Sequence, residues 1–354
     1  MQRAHLVFSG SPRVHLIRIR QKGEEMRVLV LVLQDTEFRP TNNFFIPNSL
    51  HQLGIDVTLG DPNSLQIVNG VITTNTCEFM EGNVGSPHPE MNKPASCENF
   101  DLVWFLDYPH PNRLVDYFRI LWVLNRRVPF VNDPASVFLL NNKIGPLGLE
   151  SARFFASSSV LSDPQWIQDI REASPDQSFV LKPPDKGCGA DVFTLTPGDP
   201  NANALIQSSL GNPAQLEEMF GSAVIGQSGN FVVLQEFLPR LRESENRVLL
   251  AGGQIVGGYR KISAEGDFRG NYLVGASTAP LDISSSAELI SVSVATELLS
   301  YGIHFVGIDV SGDHLIEVNL VNPGGISGHL EANGVDIGVD VCQAVLTSCL
   351  GTQW

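Results

Sequence analysis

Two apolar strand signals near the C-terminus constrain the fold most: Gly307-Ile308-Asp309-Val310 and Leu315-Ile316-Glu317-Val318-Asn319. Side chains alternate across a strand, so Glu317 and Asn319 share one face and Val318 takes the other. Ser311-Gly312-Asp313 between them suits a turn that brings Asp309 beside that face. Alone, such a pattern reads as the wet face of an edge hairpin. The strongly apolar flanks argue instead for a buried hairpin, where a carboxylate is costly unless paired or metal-bound. Asp309, Glu317 and Asn319 thus offer oxygen ligands suited to Mg²⁺, with Mn²⁺ as the alternative ion, and Mg²⁺ held this way usually serves substrate phosphates.

The chain has 354 residues, enough for two or three packed subdomains. A hydrophobic fraction of 43% argues against a disordered chain, and a net charge of −15 argues against broad nucleic-acid affinity. Cys77, Cys97, Cys188, Cys342 and Cys349 form no CxxC pair and no metal-ligand spacing, which fits a reducing compartment. No apolar run reaches the roughly 18 residues of a membrane span. These features predict a cytoplasmic protein with neither nucleic acid nor membrane as partner; self-association is left open. Residues 1–25 carry Arg3, Arg13, Arg18, Arg20 and Lys22 and no acid before Glu24. They read as an extension outside the fold: a disordered arm, an upstream start or a transit peptide.

Along the chain, Met26–Leu33 reads as the first strand of a parallel sheet because it is apolar throughout. Asn43–Leu53 reads as its crossover helix, closed by Gly54, and Ile55–Leu59 as a second strand. Asn69-Gly70 between Ile67-Val68 and Val71-Ile72 signals a hairpin. Residues 78–100 read as a loop, Asp101–Leu106 as a strand, Asn112–Asn125 as a helix and Val128–Asn132 as a strand. This alternation predicts an open α/β domain over 26–143. Residues 144–240 read as a small α+β lid with strands Ser178–Lys182, Asp191–Leu195 and Phe231–Phe237. Residues 241–354 hold a strand pair folding back at Gly252-Gly253, a helix over Ser285–Tyr301, the carboxylate hairpin and a last helix over Val335–Leu350.

Lys182 closes an apolar strand and precedes a loop in which Gly187, Cys188 and Gly189 let backbone N–H groups approach an anion. No helix-opening G-K-[ST] follows, so this is not a Walker A loop. Lys143, at the junction of the first sheet and the lid, is either a helix-end cap or a second phosphate-facing lysine. The strand end Gln235-Glu236-Phe237-Leu238 could present its backbone to an adenine edge, with Glu243 or Glu245 reaching ribose hydroxyls.

The order Lys143, Lys182 with its glycine loop, Gln235-Glu236-Phe237-Leu238-Pro239, Glu245-Asn246-Arg247-Val248, Arg269-Gly270-Asn271, Asp309 and Glu317-Val318-Asn319 resembles the ATP-grasp ligases, most closely the bacterial-type glutathione synthetases. Asp133-Pro134-Ala135-Ser136 is similar to the stretch that opens that family's ATP-binding region. The resemblance covers about residues 26–350 and is densest over 178–323. It implies an α/β protein with an ATP-grasp fold, an α+β lid and an N-terminal open α/β domain. It implies that Lys143, Lys182 and the Gly187–Gly189 loop contact phosphates. Asp309, Glu317 and Asn319 would bind two Mg²⁺ ions, and Arg247 and Arg269 would face the reacting groups. Lys261, Arg269, Gly270, Asn271, Asn322, Gly324 and Gly325 fall at the substrate end.

The activity implied is ATP-dependent joining of a carboxylate to an amine through an acyl phosphate, with γ-glutamylcysteine and glycine as the named pair. Another amino-acid or peptide pair, or a nucleotide-binding regulator without turnover, are the alternatives. The chain departs from the family at the acceptor and peptide end of the cleft. Val321–His329 contains no arginine, and Lys261 stands where the family tends to have arginine. Asp107-Tyr108-Pro109-His110-Pro111 lacks the family's preceding Arg-Lys pair.

Overall fold

Arg27-Val28-Leu29-Val30-Leu31 has no polar face after its first residue, and it lies at the centre of the first sheet, in a computed structural model that describes residues 25–187, 190–210, 231–239, 245–262 and 277–351. That sheet comprises β1 (Arg27–Leu31), β2 (Asp56–Gly60), β3 (Gln66–Val68), β4 (Val71–Glu78), β5 (Lys93–Ser96), β6 (Leu102–Phe105) and β7 (Phe130–Val131). The order is β3-β4-β2-β1-β6-β7, with β5 on β4. β2, β1, β6 and β7 run parallel, whereas β4 is antiparallel to β2, β3 and β5. The sheet is therefore parallel at its core with an antiparallel edge. Asn69 and Gly70 both take positive φ, 51° and 82°, the backbone a two-residue turn with right-handed strand twist requires. The stretch 78–100, expected as a loop, contains β5 and a 3₁₀ turn at Cys97–Asn99.

The second sheet holds β8 (Ser158–Leu161), β9 (Phe179–Lys182), β10 (Phe193–Leu195) and β11 (Val232–Glu236) in the order β10-β9-β11-β8, all antiparallel. Helices Pro164–Ala173 and Ala202–Leu210 cover one face, burying Ile167, Ile206 and Leu210 against Leu181, Leu195 and Leu234. Pro164 opens the first of these helices behind a capping Asp163, whose side chain accepts from Gln165 N at 2.8 Å.

The third sheet holds β12 (Glu245–Ala251), β13 (Gln254–Ile262), β14 (Ser277–Pro280), β15 (Phe305–Ser311) and β16 (His314–Asn319) in the antiparallel order β14-β13-β12-β15-β16. Alternation along β12 feeds two cores. Val248 and Leu250 join helix Ser285–Ser300, while Leu249 and Ala251 join helix Gly338–Leu350. Gly252 turns β12 into β13 at φ +59°, where a Cβ would lie 2.6 Å from the Ala344 carbonyl oxygen. The last helix, expected over Val335–Leu350, begins at Gly338, and a separate helix over Ile326–Asn333, outside that expectation, precedes it and stops at Gly334 in the left-handed region.

Both large cores are built from the first and third sheets together, whereas the second sheet has a core of its own. One polar side chain fastens the first two partners. Asn132, just past β7, donates Nδ2 to Phe305 O at 2.6 Å and Leu320 O at 2.7 Å. Its Oδ1 accepts from His304 N at 2.7 Å and Phe305 N at 2.9 Å. Cys77, Cys97 and Cys342 are buried, Cys349 is partly so, and all four are free thiols.

Removing the Asn132 amide strands four backbone groups away from water. Asn132→Ala lowers unfolding free energy by about 3 kcal/mol or more, read from urea denaturation, with helix and strand content unchanged by circular dichroism.

Candidate active site

Antiparallel pairing sets Asp309 directly opposite Glu317 and Gly307 opposite Asn319, so the pleat brings the two carboxylates to one face. The register shifts between Asp309 and Val310, a local irregularity beside the carboxylate. On the other side of β15, Arg247 of β12 lies opposite Asp309.

Asp309 is fully enclosed. Its Oδ1 accepts from Arg247 Nε at 2.6 Å, and its Oδ2 accepts from Arg247 Nη2 at 2.9 Å and Lys261 Nζ at 2.8 Å. Lys261 also donates to Glu245 Oε1 at 2.7 Å. Burial opposes ionisation of Asp309, but Arg247 and Lys261 outweigh it and hold the carboxyl well below the usual range. Burial likewise opposes the charge on Lys261, yet Asp309 and Glu245 push its ammonium up to about 12. Glu245 shifts the other way, upward, because burial exceeds what Lys261 returns. Of roughly four lone-pair positions on the Asp309 carboxylate, three are taken, leaving one on Oδ1.

The lysines come from the facing wall. Lys182, ending β9, donates to Gln235 Oε1 at 2.7 Å, and Gln235 Nε2 donates to Ser158 Oγ at 2.9 Å. Burial lowers the Lys182 ammonium, with Glu317 opposing the shift. Lys143 Nζ stands 3.5 Å from Glu317 Oε1 and donates to the Lys186 carbonyl, while its backbone N donates to Pro184 O at 3.0 Å. Lys143, Lys182, Gln235 and Glu317 line a crevice of about 20 Å³, the space of about one water molecule.

Several expected contacts look different in three dimensions. Lys261, expected at the substrate end, faces Glu245 and Asp309 inside the sheet. Glu245, expected at a ribose, has its carboxylate on Lys261. The backbone N–H groups of Glu236 and Phe237, expected at an adenine edge, already donate to Ser157 O at 2.9 Å and Ser178 O at 3.0 Å. Among the described residues Leu238 N has no backbone partner. Gly187 sits in open space, where a Cβ would meet nothing within 4 Å. Cys188, Gly189, Arg269, Gly270 and Asn271 lie outside the described residues.

At the substrate end, Gly324 and Gly325 both adopt positive φ, 63° and 93°, and lead into helix Ile326–Asn333. Arg247 Nη1 donates to the Pro323 carbonyl. Asn322 Nδ2 donates to Asn43 Oδ1 at 2.7 Å, and Asn43 Nδ2 donates to Asp107 Oδ2 at 2.7 Å. Sequence reasoning missed Ser158, Asn42 and Asn43. Thr41-Asn42-Asn43 carries only a helix-start signal, and Ser158 lies in a polar run with no strand pattern.

Among the described residues no three His, Cys, Asp or Glu side chains close on one metal position. The donor set is instead two carboxylates and an amide: Asp309 with one lone pair open among the described residues, Glu317 partly exposed, and Asn319, whose buried Nδ2 has no partner among them. An incomplete shell of hard oxygens suits a Mg²⁺-class ion whose remaining ligands come from phosphate.

Residues 143–333 match the family model described as prokaryotic glutathione synthetase, ATP-grasp domain. The macrocyclase MdnC of Microcystis aeruginosa MRC, solved bound with its precursor peptide MdnA, superposes with a TM-score of 0.59 over 92% of this chain and 100% of that one, at 14% identity, which shows a common fold. The family match and the fold together define an ATP-grasp enzyme, an ATP-dependent carbon–nitrogen ligase. The glutathione synthetase of Synechococcus elongatus is 31% identical over 216 residues, 60% of this chain and 60% of the relative. That of Synechocystis is 26% identical over 84% of this chain and 91% of the relative. The chain belongs to the prokaryotic glutathione synthetase family, whose members use ATP and a divalent metal. Among the described residues no helix is long and apolar enough to cross a membrane.

Breaking a buried ion pair from one side leaves an uncompensated charge. Lys261→Met lowers stability by about 3 kcal/mol near neutral pH, measured in urea. The loss shrinks as pH falls, because burial raises the Glu245 carboxyl above its unfolded value and its protonation favours the folded state. Lys261→Met combined with Glu245→Gln recovers a large part of the loss.

Proposed function

We propose that this chain joins γ-glutamylcysteine to glycine, using ATP with Mg²⁺, in a reducing cytoplasmic compartment. The observation that carries the reading is the Asp309–Glu317 pair across β15 and β16, at a crevice whose other wall bears Lys143 and Lys182. Family membership supports the reaction type, and the free buried thiols fit the compartment.

The substrate carboxylate attacks the γ-phosphorus of ATP, and ADP leaves. The amine attacks the carbonyl carbon of the acyl phosphate, which expels phosphate and sheds a proton to leave the amide. Little covalent help is required, so positioning and charge neutralisation suffice. Lys143 and Lys182 meet the phosphates. Arg247 spends three of its five N–H groups on Asp309 and Pro323, and the remaining two are available to a substrate or phosphoryl oxygen. Asp309, Glu317 and Asn319 would hold the metal, which when bound neutralises charge on the phosphates. Closure of the second sheet keeps water from the acyl phosphate.

A second reading, ligation of another amino-acid or peptide pair, has its own observation. Lys261 is turned inward onto Glu245 and Asp309, and Val321–His329 brings no arginine, so the acceptor end departs from the family.

The test is ADP release and product mass with a panel of carboxylate–amine pairs. γ-Glutamylcysteine with glycine gives ADP and the tripeptide. Glu317→Gln lowers kcat by about 100-fold or more while its urea midpoint stays near wild type, since the partly exposed carboxylate carries no fold. Turnover of a different pair moves the protein to the second reading. Wild-type turnover by Glu317→Gln would overturn the metal assignment.

A further inference from the structure

The ladder between β15 and β16 ends at Asn319, paired with Gly307, and the next residue is held by another part of the chain. Leu320 is buried, so both of its backbone polar groups need partners inside the protein. Two asparagines that bracket the short helix Pro134–Leu140 supply them. Asn132, before the helix, donates Nδ2 to Leu320 O at 2.7 Å. Asn141, after it, accepts from Leu320 N on Oδ1 at 2.8 Å. A backbone N–H can only donate, so it fixes which way the Asn141 amide points. The oxygen faces Leu320 and the nitrogen faces Tyr108, to whose Oη it donates at 2.5 Å.

The two asparagines carry different loads. Asn132 serves four backbone groups and fastens the first sheet to the third. The Asn141 side chain makes two hydrogen bonds among the described residues, one to Tyr108 and one to the residue after Asn319. Asn319 has little else to orient it, since its Nδ2 has no partner among those residues. Its direction follows from the backbone on either side: the ladder before it and the Asn141 bond after it. The same turn also carries Lys143. Asn142 Oδ1 accepts from Ile144 N at 2.8 Å and Gly145 N at 2.7 Å, and Lys143 Nζ stands 3.5 Å from Glu317 Oε1. The stretch Asn141–Lys143 thus meets β16 at Glu317 and again just past Asn319.

We propose that Asn141 is a positioning residue for the metal: by holding Leu320 N it aims the Asn319 amide at the cation, and its place in the chain ties that aim to the phosphate-facing Lys143. This rests on the assignment of Asn319 as a metal ligand above. Groups that hold a metal ligand in orientation are typically worth about 10- to 100-fold in metal affinity.

A purely structural Asn141 would also cost stability when lost, so stability does not discriminate. Metal affinity set against nucleotide affinity does. The probe is Mn²⁺, titrated into the ADP complex of the full chain with the free ion read by electron paramagnetic resonance, beside ADP binding without metal. Asn141→Leu keeps the size of the side chain and removes both hydrogen bonds. It raises the Mn²⁺ dissociation constant by about 10-fold or more, with ADP affinity in the absence of metal near wild type. Asn141→Asp keeps an oxygen for Leu320 N, and the Tyr108 hydroxyl can turn to donate to the other oxygen, so most of the Mn²⁺ affinity returns. Tyr108→Phe spares the Leu320 bond and stays near wild type. Because Asn141 acts through Asn319, Asn141→Leu adds little to Asn319→Ala, whereas two independent losses would multiply. Wild-type Mn²⁺ affinity in Asn141→Leu, an equal loss of ADP affinity, or multiplication of the two losses overturns the proposal and leaves the metal assignment standing. Wild-type Mn²⁺ affinity in Asn319→Ala removes Asn319 from the metal, and the proposal falls with it. Where Asn141→Leu does not fold, Asn141→Ser replaces it, its hydroxyl ending one bond short of the amide oxygen. If neither folds, the bond is a requirement of the fold itself and the metal role is overturned.

Discussion

The carboxylate of Asp309 sits in the middle of a sheet, out of reach of water, and the geometry of the site follows from keeping it charged. An isolated ionised carboxylate there would be strongly unfavourable. β12 answers with Arg247 in two-pronged contact, and β13 adds Lys261. Lys261 in turn requires Glu245, so four side chains from three strands have one self-consistent arrangement. Such a cluster contributes little net stability compared with apolar packing, because desolvation offsets most of the attraction. What it supplies is register: a slip of one residue along β15 would bury the charge among Ile308 and Val310 partners instead. Glu317 and Asn319 take their positions from that register.

The three sheets are not equivalent mechanically. The first and third interleave side chains in both large cores and are held by Asn132, so they behave as one base. The second owns its core and touches the base along the crevice of Lys143, Lys182 and Glu317. The Lys143–Glu317 pair there is 3.5 Å apart and partly exposed, worth little in water, while Leu147, Phe155, Val233 and Ile316 line the same crevice. A core of its own leaves the second sheet able to move as a unit, which is what a nucleotide cleft requires.

Much of this was legible in the sequence because its causes are local. The apolar run of β1, the Asn69-Gly70 turn, the Gly252-Gly253 reversal and the carboxylate hairpin each carry their reason within a few residues. β8 was not legible, since Ser158 and Ser159 hide an edge strand that exists because β11 needs a neighbour. Helix Ile326–Asn333 was not legible either: it opens behind two glycines and carries Gly328 within its span. The side-chain partners were the least legible. The inward turn of Lys261 depends on Asp309, 48 residues on, and Asn43 meets Asn322 across 279 residues. No local pattern encodes those pairings; they appear only when the sheets close on each other.

The cysteines give the fold a chemical temperament as well as a composition. Burial pushes the thiols of Cys77 up to about 11 and of Cys97 and Cys349 up to about 12, and raises Cys342 further. Thiol–disulfide exchange runs through the thiolate, which at neutral pH is then only about one part in ten thousand or less of each of these groups. At these four positions the fold therefore keeps sulfur in its least reactive form, slow to exchange with oxidised or reduced small thiols.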